Sequence, residues 1–463
     1  MWLALKAFLV CLILTPIFRD IFRSYGIVDK PDRRKVHPYP IPRVGGIPIA
    51  IAYVVALYPF STESRLLAEY LPLAWKMIPA AALIFAIGLT DDLIGLRPWQ
   101  KLLGQFAAAT LAYWAGVRVA GVAGFFPNEI WTSLPLTVFW LLACTNAFNL
   151  VDGLDGLAAG MGLVASLTMM IAALREPNLQ LAYACVPLVG ALLAFLCFNF
   201  NPATVFLGDS GAMLIGFLLG CYGAVWAQKS ATLVGMVVPL VAISIPLLDV
   251  SLTILRRFLR NQPIFSADRG HIHHRLLERG LAPSRAVLVL YLVCAVAAAF
   301  ALLLTHPYAG LFYGPILMLI CIVVLVGIRQ LRYAEFGIAS KLLFGGELQR
   351  TLGGQIRLEM LAEKLGEAQS EEACWGVLAG SIDDFGFSAV ELSLRGRKWH
   401  KSVGNAPREE CWSLQVPLSD QDWLRLTRPF DSGVLPMMVA PFLDTVRRAI
   451  QSKLRDWDSE PVV

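Results

Sequence analysis

Apolar runs of roughly 20 residues, the length a helix needs to cross a bilayer, recur along the first 330 residues. They fall near 2–19, 44–60, 73–90, 101–117, 131–148, 157–174, 180–199, 207–227, 233–255, 285–304 and 308–328. Short polar loops separate these eleven runs, and the pattern then changes. A helical period over about 345–369 leads into strict alternation in SAVELSL, which predicts a strand. WSLQVPL predicts another, and PFLDTVRRAIQSKLRDW reads as a closing amphipathic helix. The expected fold is an all-α polytopic membrane protein of about eleven transmembrane helices over 1–330. A soluble cytosolic α+β domain follows over 331–463.

Composition sharpens this division. The chain is 57% apolar and 16% charged, with a mean hydropathy of +0.62, which excludes an ordinary soluble globule and a disordered chain. Residues 331–463 carry 16 basic and 19 acidic side chains, and the first 330 carry 23 and 15. The net charge of +5 is thus a difference between two unlike regions and points to no nucleic-acid partner. Seven of the nine cysteines lie in or at the ends of apolar runs without metal-ligand spacing, as buried free thiols do. The run from Trp2 to Phe18 ends in a basic segment rather than a small-residue cleavage site, so it reads as a retained helix.

Lysines and arginines in short loops orient a membrane protein. The odd loops hold sixteen of them, including Lys30, Arg33, Arg34 and Lys35 in the first and Arg260 in the ninth; the even loops hold four, Arg65, Arg118, Arg175 and Lys229. Odd loops are therefore expected inside, with the N-terminus outside and the tail in the cytosol. Every notable polar cluster also falls at an odd loop. A transporter gathers its key polar groups near the midplane; an enzyme acting on one lipid and one cytosolic substrate gathers them at one face.

Asp91 and Asp92 end the third run, in GLTDDLIGLRPWQKLLGQ. Adjacent carboxylates there repel unless a cation offsets them, and on a helix they diverge by about 100°. A solvated helix end with Arg97 and Lys101 as counterions is the plainer alternative. In NAFNLVDGLDGLAAG, the residues Asn146, Asn149, Asp152 and Asp155 recur every third position, which suggests one polar stripe on a helix entering the fifth loop. The segment lacks the twelve-residue pattern of a calcium loop. In NPATVFLGDSGAMLIGF, Asp209 suits either an N-cap or a Mg²⁺ ligand beside phosphates, and Phe206 either core packing or stacking on a base. In the ninth loop, Asp249 is expected to pair with a basic group. His271, His273 and His274, with Arg269 and Arg275, form a donor set suited to a pyrophosphate; a zinc site would need further ligands. Carboxylates, cations and imidazoles at one face are what phosphoryl transfer requires.

KVHPYPIPRVGG, GLTDDLIGL, NAFNLVDGLDGLAAG, VFLGDSGAMLIG and DRGHIHHRLL, in that order, resemble the signatures of the polyprenyl-phosphate N-acetylhexosamine-1-phosphate transferases (glycosyltransferase 4). The last is similar to the undecaprenyl-phosphate N-acetylglucosaminyl-1-phosphate transferase branch. The resemblance implies transfer of N-acetylhexosamine 1-phosphate, most often N-acetylglucosamine 1-phosphate, from a UDP-sugar to undecaprenyl phosphate. UMP would be released and lipid-linked envelope polysaccharide initiated at the bacterial inner membrane. It implies Mg²⁺ as cofactor, with Mn²⁺ able to replace it. It further implies Asp209 as metal ligand with Asn149 as a second, and Asp91 as base or lipid-phosphate-orienting carboxylate beside Asp92. Lys101 would contact phosphate, Asp152 and Asp155 would place the nucleotide sugar or act in catalysis, and Phe206 would stack on uracil. His271, His273 and His274 would hold the sugar and diphosphate, with Arg43, Asn146, Arg269 and Arg275 as further substrate contacts. Ile41 departs from the pattern, which commonly has Thr before the Pro-Arg pair. The tail lies outside this resemblance. It is loosely similar to a GAF-type module and is expected to serve regulation through a cytosolic partner or ligand; a homodimer is compatible with the sequence.

A reporter active only in the cytosol, fused after Val463, is expected to be active. Activity instead of a periplasm-dependent reporter at that position would overturn the orientation.

Overall fold

The computed structural model describes residues 2–29, 39–58, 69–119, 129–176, 178–229, 234–259, 270–305, 313–330, 347–403, 410–419, 421–430 and 439–459. They form two compact units, Met1–Arg332 and Tyr333–Val463. Lys30, Arg33, Arg34, Lys35, Arg65, Arg260 and Arg269 lie outside the described residues.

The first unit is helical. Its elements are α1 (Trp2–Ser24), α2 (Gly46–Leu57), α3 (Pro72–Ile94), α4 (Pro98–Trp114), α5 (Ile130–Val151), α6 (Leu157–Arg175) and α7 (Leu179–Asn199). Then come α8 (Gly208–Lys229), α9 (Val234–Ala242), α10 (Ser244–Leu259), α11 (Ile272–Glu278), α12 (Pro283–Leu304) and α13 (Tyr313–Gln330). Among the described residues, seven helices are long and apolar enough to cross a membrane: α1, α3, α5, α6, α7, α8 and α12. All eleven apolar runs are helical, but α2 has only 12 residues and α4 only 17. The ninth run is two helices rather than one. A continuous helix would need an N–H at Pro246 to bond the Ala242 carbonyl; proline has none, and it fits the first turn of a new helix instead.

Helix α8 is the hub. Its membrane stretch is buried throughout, which an apolar helix reaches only when surrounded by others. Small residues allow the approach, as in other membrane bundles. A Cβ at Gly88 of α3 would lie 2.6 Å from Ser210 Cα and 2.8 Å from the Asp209 carbonyl carbon. A Cβ at Gly46 of α2 would meet the Gly211 amide. The α3 and α2 backbones therefore touch the first turn of α8 directly.

The second unit is α+β. Helices α14 (Glu347–Glu367), α15 (Glu371–Ser381) and α16 (Val439–Ser459) accompany four strands, β1 (Ala389–Leu394), β2 (Arg397–Ser402), β3 (Cys411–Pro417) and β4 (Trp423–Pro429). The sheet is antiparallel in the order β2-β1-β4-β3. Val390, Leu392, Leu394, Leu424 and Leu426 share its core with Leu378 of α15 and Phe442, Val446 and Ile450 of α16, the alternation that half-buried strands require.

Gly88→Ala is expected to overpack the α3–α8 contact at a cost of about 1–3 kcal/mol, read as a lower thermal midpoint. Gly314→Ala, whose new Cβ would have nothing within 4 Å, is the control and should leave the midpoint unchanged or raised. Equal midpoints for the two variants would overturn the packing argument.

Candidate active site

The last turn of α3 carries both aspartates, and they diverge as helical geometry demands. Asp91 Oδ1 accepts from the Leu96 amide at 2.6 Å, which folds the chain back toward α4. There the Lys101 ammonium forms an ion pair with Asp91 and a second with Asp209 Oδ2 at 2.5 Å. One ammonium is thus held between two carboxylates from different helices.

Asp92 turns the other way. Its Oδ1 accepts from the Asp209 amide at 2.8 Å and its Oδ2 from the Ser210 amide at 2.9 Å. The N-cap of α8 is therefore a carboxylate from α3, not Asp209 itself. Asp209 sits in the first helical turn, and its side chain is left for Lys101. The cap satisfies two orphan amides and places negative charge at the positive end of the helix.

The expected polar stripe over 146–155 is not a single helical face. Helix α5 ends at Val151, and Asp152 and Asp155 lie in the turn before α6, because Gly156 takes a left-handed φ of +79° that starts the next helix. Asn146 is occupied within the bundle. Its Nδ2 donates to Gln105 Oε1 at 2.7 Å and its Oδ1 accepts from Gln105 Nε2 at 3.3 Å. This amide pair braces α4 and α5 one turn beyond Lys101. Asn149 is half-buried on the same helix, three residues before Asp152. Asp155 Oδ2 accepts from Asn201 Nδ2 and the Ala203 amide, both at 3.0 Å, so it fixes the loop leading to Phe206 and Asp209. Gln105, Asn201 and Tyr291, whose hydroxyl donates to the Gly156 carbonyl at 2.5 Å, escaped the sequence reading. Only the first two lie inside quoted motifs, and none has a spacing that signals its contact.

The first-loop signature docks on that same loop. The Phe206 amide donates to the Pro42 carbonyl at 2.9 Å, and the Phe206 and Leu207 carbonyls accept from Gly45 and Gly46 at 3.0 Å each. Arg43 pairs with Asp29 at 3.1 Å and lends positive potential to Asp152. Ile41 is buried, with its backbone bonded to Asp29. An apolar side chain suits that position, where no hydroxyl is present.

The histidine segment closes the arrangement. A Cβ at Gly153 would fall 2.5 Å from His273 Nε2, so His273 rests on the turn that carries Asp152. His273 is 2% exposed, and neither ring nitrogen has a hydrogen-bond partner among the described residues. Burial and the adjacent His274 push it down to about 3, so it is a neutral imidazole. His271 stacks parallel to it at 5.7 Å, and His274 lies at 4.3 Å, tilted. Arg275 Nη1 donates to Glu278 at 3.1 Å.

Among the described residues no group of three His, Cys, Asp or Glu side chains could enclose a metal, so a closed zinc site does not fit. Mg²⁺ does fit. It takes one or two carboxylates and completes its shell with waters and phosphates. Asp209 is a hard oxygen donor that already faces a cation, the Lys101 ammonium.

A family model described as glycosyl transferase family 4 matches residues 74–227. The chain is 35% identical over 291 residues to a probable undecaprenyl-phosphate N-acetylglucosaminyl 1-phosphate transferase of Bacillus subtilis, covering 62% of this chain and 79% of that protein. It is 36% identical over 328 residues to the decaprenyl-phosphate N-acetylglucosaminephosphotransferase of Mycolicibacterium smegmatis, covering 62% and 78%. The undecaprenyl-phosphate alpha-N-acetylglucosaminyl 1-phosphate transferase of Escherichia coli K12 is 29% identical over 308 residues, covering 63% and 80%.

Loss of hydration, then the charges of Asp209 and Asp92, push the Asp152 carboxyl up to about 8, from about 4 in an unfolded chain. Between those values the folded protein keeps a proton that the unfolded chain has released. Stability from this residue therefore falls as pH rises from about 4 to 8. Asp152→Asn removes that dependence. In metal-free buffer its thermal midpoint should exceed that of the wild type by a margin that grows from pH 5 to pH 8. A constant margin would show that Asp152 does not titrate there.

Proposed function

The chain belongs to glycosyl transferase family 4, and on that premise we propose that it transfers N-acetylglucosamine 1-phosphate from UDP-N-acetylglucosamine to undecaprenyl phosphate. A phosphate oxygen of the lipid attacks the phosphorus bearing the sugar. The bond from that phosphorus to the bridging oxygen breaks, UMP leaves with the oxygen, and the lipid-linked sugar diphosphate remains. The charge count supports a site on the cytoplasmic side of a bacterial plasma membrane, and the product would start an envelope polysaccharide.

The observation that carries this reading is the Lys101 ammonium clasped between Asp91 and Asp209. Such a cluster at a membrane face has little use unless phosphate charge arrives beside it. Asp209, with Asn149, would hold Mg²⁺, or Mn²⁺ in its place, which when bound supplies Lewis-acid stabilisation of charge on the transferring group. Lys101 offsets phosphate charge. Asp91 positions the lipid phosphate, for which a general base is barely needed, because a phosphomonoester with a second pKa near 6 is mostly ionised at neutral pH. Asp92 holds α8, and hence Asp209, in place. Neutral His273 can donate one hydrogen bond to a diphosphate oxygen. His271, His274, Arg275 and Arg269 supplement it. Phe206 would stack on uracil, and Arg43 stands near Asp152 as a further cation. The unit from Tyr333 to Val463 gathers no comparable cluster among its described residues; a regulatory role through a cytosolic partner, a ligand or a second copy of the chain suits it.

Purified protein with labelled UDP-N-acetylglucosamine, undecaprenyl phosphate and Mg²⁺ should form labelled lipid and UMP in equal amounts. Asp209→Asn should insert normally and turn over at least about 100-fold more slowly, equivalent to roughly 3 kcal/mol of transition-state stabilisation. No labelled lipid from the wild type would overturn the reading.

A further inference from the structure

The buried carboxylate of Asp249 has no place in the chemistry above, and its surroundings explain why it is kept. It lies on α10 and is 1% exposed. Its Oδ2 accepts from His271 Nδ1 at 2.8 Å, and its Oδ1 accepts from the Ile272 amide at 2.7 Å. Four residues on, the Thr253 hydroxyl stands 3.5 Å from the same Nδ1. Three further on, Arg256 Nη1 donates to the Gly270 carbonyl at 2.7 Å. Positions 249, 253 and 256 share one face of the helix, and they grip residues 270 to 272 in succession.

Anchoring a loop does not require a buried charge. Removing a carboxylate from water costs several kcal/mol before its partners repay it, and an apolar contact would hold the segment more cheaply. A carboxylate does what an apolar contact cannot: it fixes the ring of a histidine. An ionised carboxylate only accepts, so His271 must carry its proton on Nδ1, and Nε2 is the nitrogen left for a ligand. The ring plane is fixed too, and His273 stacks on it within 6° of parallel. His273 in turn rests on Gly153, with neither nitrogen hydrogen-bonded among the described residues. Orientation therefore passes from Asp249 through His271 to the imidazole beside the Asp152 turn.

We propose that Asp249 is a positioning residue, which sets the tautomer and plane of His271 so that the histidine segment meets the diphosphate of the nucleotide sugar. This rests on the transferase reading above.

The test uses the full-length protein, with undecaprenyl phosphate and UDP-N-acetylglucosamine varied separately. In Asp249→Asn the amide cannot accept from both the ring and the Ile272 amide. Its kcat/KM for UDP-N-acetylglucosamine should fall about 10- to 100-fold, the range for removing a carboxylate that orients a functional histidine. The KM for undecaprenyl phosphate should stay within about twofold, since Asp249 touches nothing on the Asp91–Lys101 side. In a His271→Ala background, Asp249→Asn should cost nothing further, because its route of action is gone. His271→Asn preserves a donor to Asp249 but lacks Nε2, so it should fold normally and be as impaired as His271→Ala. That variant decides the matter even if Asp249→Asn does not fold. Multiplying losses in the double variant, or near-wild-type turnover in His271→Asn, would overturn the proposal and leave Asp249 a structural anchor. A wild-type preparation without transfer would overturn the transferase reading, and the proposal with it.

Discussion

The carboxylate of Asp92 on the Asp209 and Ser210 amides, in the first turn of α8, is the contact on which the site depends. It joins the end of α3 to the beginning of α8 through two part-buried hydrogen bonds at 2.8 and 2.9 Å. An unsatisfied helix end in such surroundings costs about 1–3 kcal/mol for each orphan group, so the two helices cannot separate without penalty. Because Asp92 does the capping, Asp209 is released from it and faces Lys101. Because Gly88 lacks a Cβ, α3 comes near enough for the cap to form. Substrate-facing charge is thus placed by a bond that itself faces no substrate.

Electrostatics then explain the division among the carboxylates. Asp91 and Asp209 share an ammonium, Asp92 is offset by a helix terminus, and Asp155 is spent on a loop amide and Asn201. Asp152 has none of these, and burial with the charges of Asp209 and Asp92 drives its carboxyl up to about 8. A group left unstable by its surroundings is where an incoming cation or donor gains most. The two buried imidazole arrangements differ in the same way. His271 is satisfied by Asp249, while His273 is withdrawn from water with no hydrogen-bond partner for either nitrogen among the described residues. His273 rests on Gly153, the residue after Asp152.

Much of this was legible in the residues. Each apolar run holds a helix in its described residues, because backbone in lipid must satisfy its own hydrogen bonds, and alternation in the tail marked β1 and β3. The divergence of Asp91 and Asp92 follows from 100° per residue. Where the reading failed, local rules were overridden by contacts distant in sequence. Local preference left Asp209 open between N-cap and metal ligand, and a carboxylate 117 residues earlier takes the capping role. Asn146 was expected at the substrate, yet its amide bonds Gln105 and the Leu142 carbonyl. The stripe over 146–155 was broken by the left-handed Gly156, which a three-residue spacing does not reveal.

The amino-acid sequence by itself determined that this is a multi-pass membrane chain with a charged α+β tail, and which polar residues gather at one end of its helices. Periodicity and the cost of unsatisfied backbone in lipid settle those points residue by residue. Only the tertiary structure decided what each polar group does. It set Asp92 to cap, Lys101 to bridge, Asp155 to brace a loop, and Asp249 to hold His271. Hydrogen-bond partners in a dry interior are chosen by which side chains the helix packing brings within 3 Å, and no local spacing encodes that choice.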